Sequence, residues 1–239
     1  MNNLTLLALD TSTEACSVAL LHRGEITSLD EVAQRTHTKR ILPMINEILS
    51  QSGIKLNQVD ALVFGRGPGS FTGVRVGAGI AQGLALGADL PVIPISNLAA
   101  MAQAAYQQYQ AEQVIAAIDA RMNEVYFAQF SAQKVRSDFG EFLQWNEIIA
   151  EQVCSAETAL NQLNELQGDW VQVGTGWAAY PQLAEAGIGK KSDIALPSAQ
   201  YMLSLAVPLW YKKQVISAVE IEPVYLRNEV TWKKLPGRE

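Results

Sequence analysis

Two aspartates close apolar runs of the same shape, Leu6-Leu7-Ala8-Leu9-Asp10 and Ile115-Ala116-Ala117-Ile118-Asp119. A carboxylate at a strand end can face a phosphate or its metal, and it can equally close a turn through its own side chain. A second strand-like segment follows each run. Thr11-Ser12-Thr13-Glu14 leads into Cys16 to Leu21, and Arg121-Met122-Asn123-Glu124 leads into Val125 to Phe130. Asp119 is followed by Ala120-Arg121, without the glycine that would let a phosphate approach.

The most distinctive stretch runs from Gly65 to Gly77 and holds Gly67-Pro68-Gly69-Ser70 at its centre. It matches neither GxxxxGK[ST] nor GxGxxG. A glycine-rich turn feeding a helix start still offers free backbone N–H groups and the positive end of the helix dipole, which suit a phosphate or carboxylate. The alternative is a tight turn that needs left-handed backbone. On the phosphate reading, Asp10, Ser12, Gly67, Gly69 and Ser70 are the candidate residues for a nucleotide-site remnant.

No catalytic set emerges from the other reactive residues. The only histidines are His22, beside Arg23-Gly24 on a hairpin turn, and His37, ahead of a helix; their separation makes no local metal pair. Cys16 and Cys154 lack CxxC or Cys/His spacing and read as buried thiols. No GxSxG elbow is present. The expectation is therefore no catalytic residue and no metal ligand.

The elements that must carry these residues follow from periodicity. Ile41, Leu42, Met44, Ile45, Ile48 and Leu49 recur at helical spacing and stop at Ser52-Gly53. Val59 to Phe64 reads as a buried strand, Thr72 to Leu86 as a helix and Pro91 to Ile95 as another strand. Trp170 to Val173 reads as a strand, and Ser198 to Tyr211 as a helix with Pro197 and a serine cap at its start. Gly73, Gly77, Gly79, Gly83 and Gly87, interleaved with alanines, make the second helix unusually small-sided, which costs up to about 1 kcal/mol per interior glycine. Removing side chains lets a backbone come close, either across a subunit boundary or on the protein's own sheet. Alternating strands and helices with two related hairpins predict two α/β lobes, 1–105 and 106–239, the helix near 198–211 packing back on the first.

Bulk composition is that of a globular chain: 239 residues, 49% hydrophobic and 18% charged. Eighteen Lys and Arg against 24 Asp and Glu give a net charge of −6, with no broad basic footprint for gripping RNA unaided. The N-terminus shows no basic leader, and no window approaches the ~20 apolar residues of a membrane span, so a cytoplasmic protein is expected.

Leu9-Asp10-Thr11-Ser12, His37 to Pro43, Gly65 to Gly77, Asp119 to Tyr126 and Pro223-Val224-Tyr225-Leu226-Arg227 together resemble the TsaB (YeaZ) family from end to end. The resemblance implies a two-lobed actin-like ATPase fold of the ribonuclease H-like kind, in which two strand-Asp-turn-strand hairpins flank one nucleotide. It implies a subunit without chemistry of its own, required for moving threonylcarbamoyl from its adenylate onto the adenosine beside the tRNA anticodon. The partners implied are the catalytic homologue TsaD, the ATPase TsaE, a second copy when alone, and tRNA through the complex; ATP or ADP would enter only at that level. In TsaD a pair of histidines holds the metal, and the corresponding positions here are Asn97 and Met101, which cannot replace two imidazoles. The family's partner contact uses the first two helices. That implies an interface of Ile41, Leu42, Ile45, Ile48 and Leu49 with Gly73, Val74, Gly77, Ile80 and Ala81. The competing expectation is a small-molecule kinase of the actin-like superfamily, using Asp10 and Gly67-Pro68-Gly69 on ATP; a peptidase ranks below both.

Overall fold

The fold is described from a computed structural model, covering residues 3–32, 36–163 and 166–227. Its first half builds one sheet from β1 (Leu6–Asp10), β2 (Ala15–His22), β3 (Glu25–Val32), β4 (Ala61–Gly65) and β5 (Val92–Ile95), with helices α1 (His37–Gln51), α2 (Phe71–Ala88) and α3 (Asn97–Tyr109). The second half contributes β6 (Gln113–Asp119), β7 (Glu124–Ser137), β8 (Gly140–Ser155), α4 (Ala156–Gln162), β9 (Val171–Val173), the short helices α5 (Gly176–Ala179) and α6 (Pro181–Ala184), β10 (Lys190–Lys191) and α7 (Ala199–Tyr211).

The two sheets share one connectivity. The first is ordered β3-β2-β1-β4-β5 and the second, read from its other edge, β8-β7-β6-β9-β10. In each, the hairpin and third strand are antiparallel, while the later strands lie parallel to the first. The duplication expected from the two aspartate hairpins is thus a duplication of whole sheets, and the architecture is the two-lobed actin-like one.

Strand alternation sorts the core. Leu7, Leu9, Leu62 and Phe64 face α1 and α2, whereas Leu6, Ala8, Ala61 and Val63 face α7. In the second sheet Val114, Ala116 and Ile118 pack with α3; Ile115 and Ala117 pack with α4, Trp177 and Leu183. Helices therefore cover both faces of both sheets.

The boundary expected near residue 105 falls inside α3, an uninterrupted helix. Leu98, Met101, Ala102 and Ala105 already pack with the second sheet, so the change of sheet occurs at the end of β5. Ser198 occupies the N-cap position of α7 but makes no capping bond; its buried Oγ has no partner among the described residues. The polar, exposed β3, the part of β7 beyond Phe130 and all of β8 lacked a clear sequence pattern. Among the described residues, no helix is long and apolar enough to cross a membrane.

Candidate functional site

Asp10 ends β1 with its side chain 1% exposed. Its Oδ1 accepts from Asn97 Nδ2 at 2.8 Å and its Oδ2 from Ser12 Oγ at 3.0 Å. Asn97, the first residue of α3, also donates to Ser12 Oγ at 2.6 Å and accepts from Gly67 N at 2.7 Å. One amide thus ties the β1 turn, the glycine turn and the start of α3 together. Burial pushes the Asp10 carboxyl up to about 6, against the pull of its hydrogen bonds to Asn97 and Ser12 and the charge of His37.

The glycines are present because the two turns touch. A Cβ on Gly65 would overlap Asp10 Oδ1, and one on Gly69 would overlap the Ser12 carbonyl oxygen. Gly67 has φ +102°, in the left-handed region. Ser70 N donates to Ser12 O at 2.7 Å, and the Ser70 hydroxyl caps α2 by accepting from Gly73 N at 3.0 Å. These contacts gather Asp10, Ser12, Gly67, Gly69 and Ser70 into one knot of turns. The Gly67 and Ser70 amides that could cradle a phosphate already have internal acceptors, and the Asp10 carboxylate faces no open space. Asp10 and these two amides are therefore engaged inside the chain, while Ser12, Gly69 and Ser70 also border a cleft.

The second hairpin turn is closed in its own way. Arg121, Met122 and Asn123 take successive left-handed conformations, making the reversal without glycine. Asp119 Oδ1 accepts from Arg121 N at 2.9 Å and from Tyr180 Oη at 2.6 Å. Between the two hairpins lies a cleft of about 840 Å³, lined by Ser12, His37, Ser70 and Phe71 on one side and Asp119, Arg121, Tyr126 and Arg227 on the other.

Two ties cross between the sheets. Arg66, just after β4, donates through both terminal nitrogens to Glu151 Oε2 of β8 at 3.1 Å, and Ser96 Oγ donates to Glu151 Oε1. The segment 221–227 forms a strap: Val224 N donates to Arg66 O at 2.8 Å, and Arg227 bonds Ala120 O at 3.0 Å and Glu124. Neither Glu151 nor the strap's role was visible in sequence, since both depend on partners more than 80 residues away.

Most of the residues expected at a partner interface point inward. Ile41, Ile45, Ile48, Leu49, Val74 and Ala81 are buried in the chain's own core, and Gly73 and Gly77 are buried against the β1 turn. Thr11 Oγ1 donates to Gly73 O at 2.7 Å, and a Cβ on Gly77 would meet Thr11 Oγ1 at 2.9 Å. Of the ten residues, Leu42 is exposed and Ile80 partly so. The outward face of α2 instead carries Phe71, Arg75, Gly79, Gly83, Leu86 and Gly87, and nothing lies within 4 Å of where a Cβ on Gly79, Gly83 or Gly87 would sit. On α1 the outward residues include Leu42, Pro43, Asn46 and Glu47.

Neither cysteine is activated. Burial pushes both Cys16 and Cys154 up to about 11, disfavouring the thiolate. His22 bonds Thr5 Oγ1 at 2.9 Å and His37 bonds Thr13 O at 2.6 Å. Met101, like Asn97, is engaged inside the protein, in the apolar cluster on the second sheet.

The chain matches the family model of TsaD, tRNA N6-adenosine threonylcarbamoyltransferase, over residues 26–231. It is 74% identical over 239 residues, all of both chains, to a Haemophilus influenzae protein described as tRNA threonylcarbamoyladenosine biosynthesis protein TsaB. A protein of the same description from Escherichia coli K12 is 48% identical over 98% of this chain and 99% of that one. Among solved structures, YeaZ from Pseudomonas aeruginosa superposes with a TM-score of 0.77 at 43% identity, over 93% of this chain and 100% of that one. A second Pseudomonas aeruginosa structure, described by its similarity to peptidase YeaZ, gives a TM-score of 0.80 at 41% identity over 94% of this chain and all of its own.

Proposed function

The chain belongs to the TsaB family of tRNA threonylcarbamoyladenosine biosynthesis proteins, and from that premise we propose that it acts as a non-catalytic subunit, binding the threonylcarbamoyltransferase TsaD and working with the ATPase TsaE. Transfer of threonylcarbamoyl from its adenylate to the adenosine beside the anticodon then takes place on TsaD. The chain carries no nucleotide or metal of its own in this reading. The assembly works in the cytoplasm, reaches tRNA through the complex, and gives way to a homodimer when TsaD is missing.

One observation carries the reading: the helix that opens at the glycine turn keeps a bare, outward row of small residues beside exposed Leu42 and Leu86. Backbone exposed at Gly79, Gly83 and Gly87 costs helix stability without any internal contact in return, and close approach of a second helix offsets that cost. The kinase alternative needs an open Asp10 and free turn amides, and these are engaged internally. A peptidase needs an activated nucleophile, and the buried thiols are the reverse.

The test is a threonylcarbamoylation assay with purified TsaD, TsaE and threonylcarbamoyl adenylate, with and without this chain, beside an ATPase assay of the chain alone. Modification only in the full mixture, from a chain silent by itself, is expected. Full modification without the chain, or strong ATP turnover by it that Asp10→Ala abolishes, would refute the scaffold role. Gly83→Leu tests the face: it should weaken TsaD binding at least about tenfold while the melting temperature holds. Gly77→Leu is unsuitable, because that position faces the β1 turn.

A further inference from the structure

The outward face of α2 begins with a cation held between two rings. Arg75 places its guanidinium carbon 3.5 Å from the centroid of the Phe71 ring and 5.4 Å from that of Tyr225. Its Nε donates to Tyr225 Oη at 2.9 Å, fixing the plane of the fork. The rings are themselves surface groups, Phe71 57% and Tyr225 44% exposed. Among the described residues Arg75, like Arg23 on its hairpin turn, has no carboxylate partner, whereas Arg40, Arg66, Arg121, Arg136 and Arg227 all do. An arginine oriented by stacking keeps its terminal N–H pair pre-set for a bidentate carboxylate, at little further cost in side-chain freedom.

Arg75 is also in line with the bare row. Gly79 and Gly83 follow it at spacings of four, so the Arg75 backbone stands about 6 Å along the axis from the first open glycine, with the fork turned back over Phe71 at the start of the helix. Apolar exposure resumes at the far end with Leu86 and Val219.

We propose that Arg75, clamped by Phe71 and Tyr225, is the charged anchor of the partner face and receives an aspartate or glutamate from a TsaD helix crossing α2 at Gly79 and Gly83. This rests on the scaffold reading above. The glycines permit close approach but fix no register; a bidentate pair at one end selects one register and orientation. Holding the cation between rings that are part of the surface makes it a rigid group of the kind that dominates interface energies.

Titration calorimetry of purified TsaD into the full chain tests it. Arg75→Ala should weaken binding about tenfold to a hundredfold with the melting temperature unchanged. Arg75→Lys should recover little, because an ammonium neither stacks flat nor binds through a fork. An Arg75→Glu chain should regain affinity when one acidic residue on the TsaD helix is replaced by arginine. If Arg75→Ala binds normally while Gly83→Leu does not, the face is right and the anchor is refuted. Normal binding by both refutes the face as well. A loss confined to self-association, or to tRNA retention by the assembled pair, would assign Arg75 to a second copy or to RNA and overturn the proposal.

Discussion

Replacing Asp10 by asparagine should remove a pH dependence of stability that the wild-type chain carries between about pH 4 and pH 6. Asp10 titrates at 3.8 in an unstructured chain and at about 6 when folded, because burial disfavours its charge more than Asn97 and Ser12 favour it. The folded state therefore prefers the protonated form. Its advantage is fully present below pH 4, falls as pH rises through the window, and is gone above pH 6. A gap of about two units corresponds to on the order of 3 kcal/mol. For a chain of this size that is a shift of roughly 6 to 12 °C in melting temperature. In Asp10→Asn the amide oxygen keeps the bond from Asn97, and the amide nitrogen turns the Ser12 hydroxyl into an acceptor, so any change from the new pair is independent of pH. The quantity to plot is the wild-type minus variant unfolding free energy, from urea melts at half-unit steps of pH, which cancels other titrating groups. A difference falling by about 3 kcal/mol from pH 4 to pH 6.5 supports the closed knot. A flat difference would refute it, showing that Asp10 is hydrated and that the two turns stand apart.

Gly65→Ala should cost at least about 2 kcal/mol in a chemical melt, because its Cβ would overlap the buried Asp10 carboxylate, which Asn97 and Ser12 hold in place; Gly83→Ala, with open space around it, should instead stabilise by up to about 1 kcal/mol. A neutral Gly65→Ala would show that the turns are not in contact. Both cysteines should alkylate with iodoacetamide at pH 8 far more slowly in the native protein than in urea, since burial pushes each thiol up to about 11; modification at the free-thiol rate would contradict it. Glu151→Gln should destabilise by about 1 to 3 kcal/mol, since Glu151 is nearly buried while Arg66 stays a quarter exposed and keeps some hydration. An unchanged melt would mean that the tie between the sheets carries no load.

Periodicity revealed which residues of α1 are apolar together, and Ile41, Met44, Ile45, Ile48 and Leu49 do form one stripe. It could not reveal what the stripe meets, because a helix packs on its own sheet and on a partner with the same pattern. The small-residue helix shows the limit more sharply. Its row Gly73, Gly77, Ala81, Ala85 turns inward and its row Gly79, Gly83, Gly87 turns outward, yet both repeat every four residues. Only the position of Thr11 and Ser12 beneath the first row distinguishes them, and that is a contact between distant segments. The aspartate hairpins were legible because each is local. Asn97 was noticed as a departure from a histidine pair, but its role joining three segments depends on Gly67 and Asp10, 30 and 87 residues away.

The knot of turns and the exposed row are two faces of one helix, and that links the turn to the proposed role. In an actin-like fold the turn ahead of α2 ordinarily answers to a ligand. Here the Gly67 and Ser70 amides answer to Asn97 and Ser12, so the pitch and start of α2 are set by the chain itself. Arg66 with Glu151 and the strap ending at Arg227 fix the second sheet against the same turn. The partner proposed to dock on Gly79 and Gly83 would meet a surface that these internal bonds hold in place. A surface set in this way is what the proposed positioning role asks of α2.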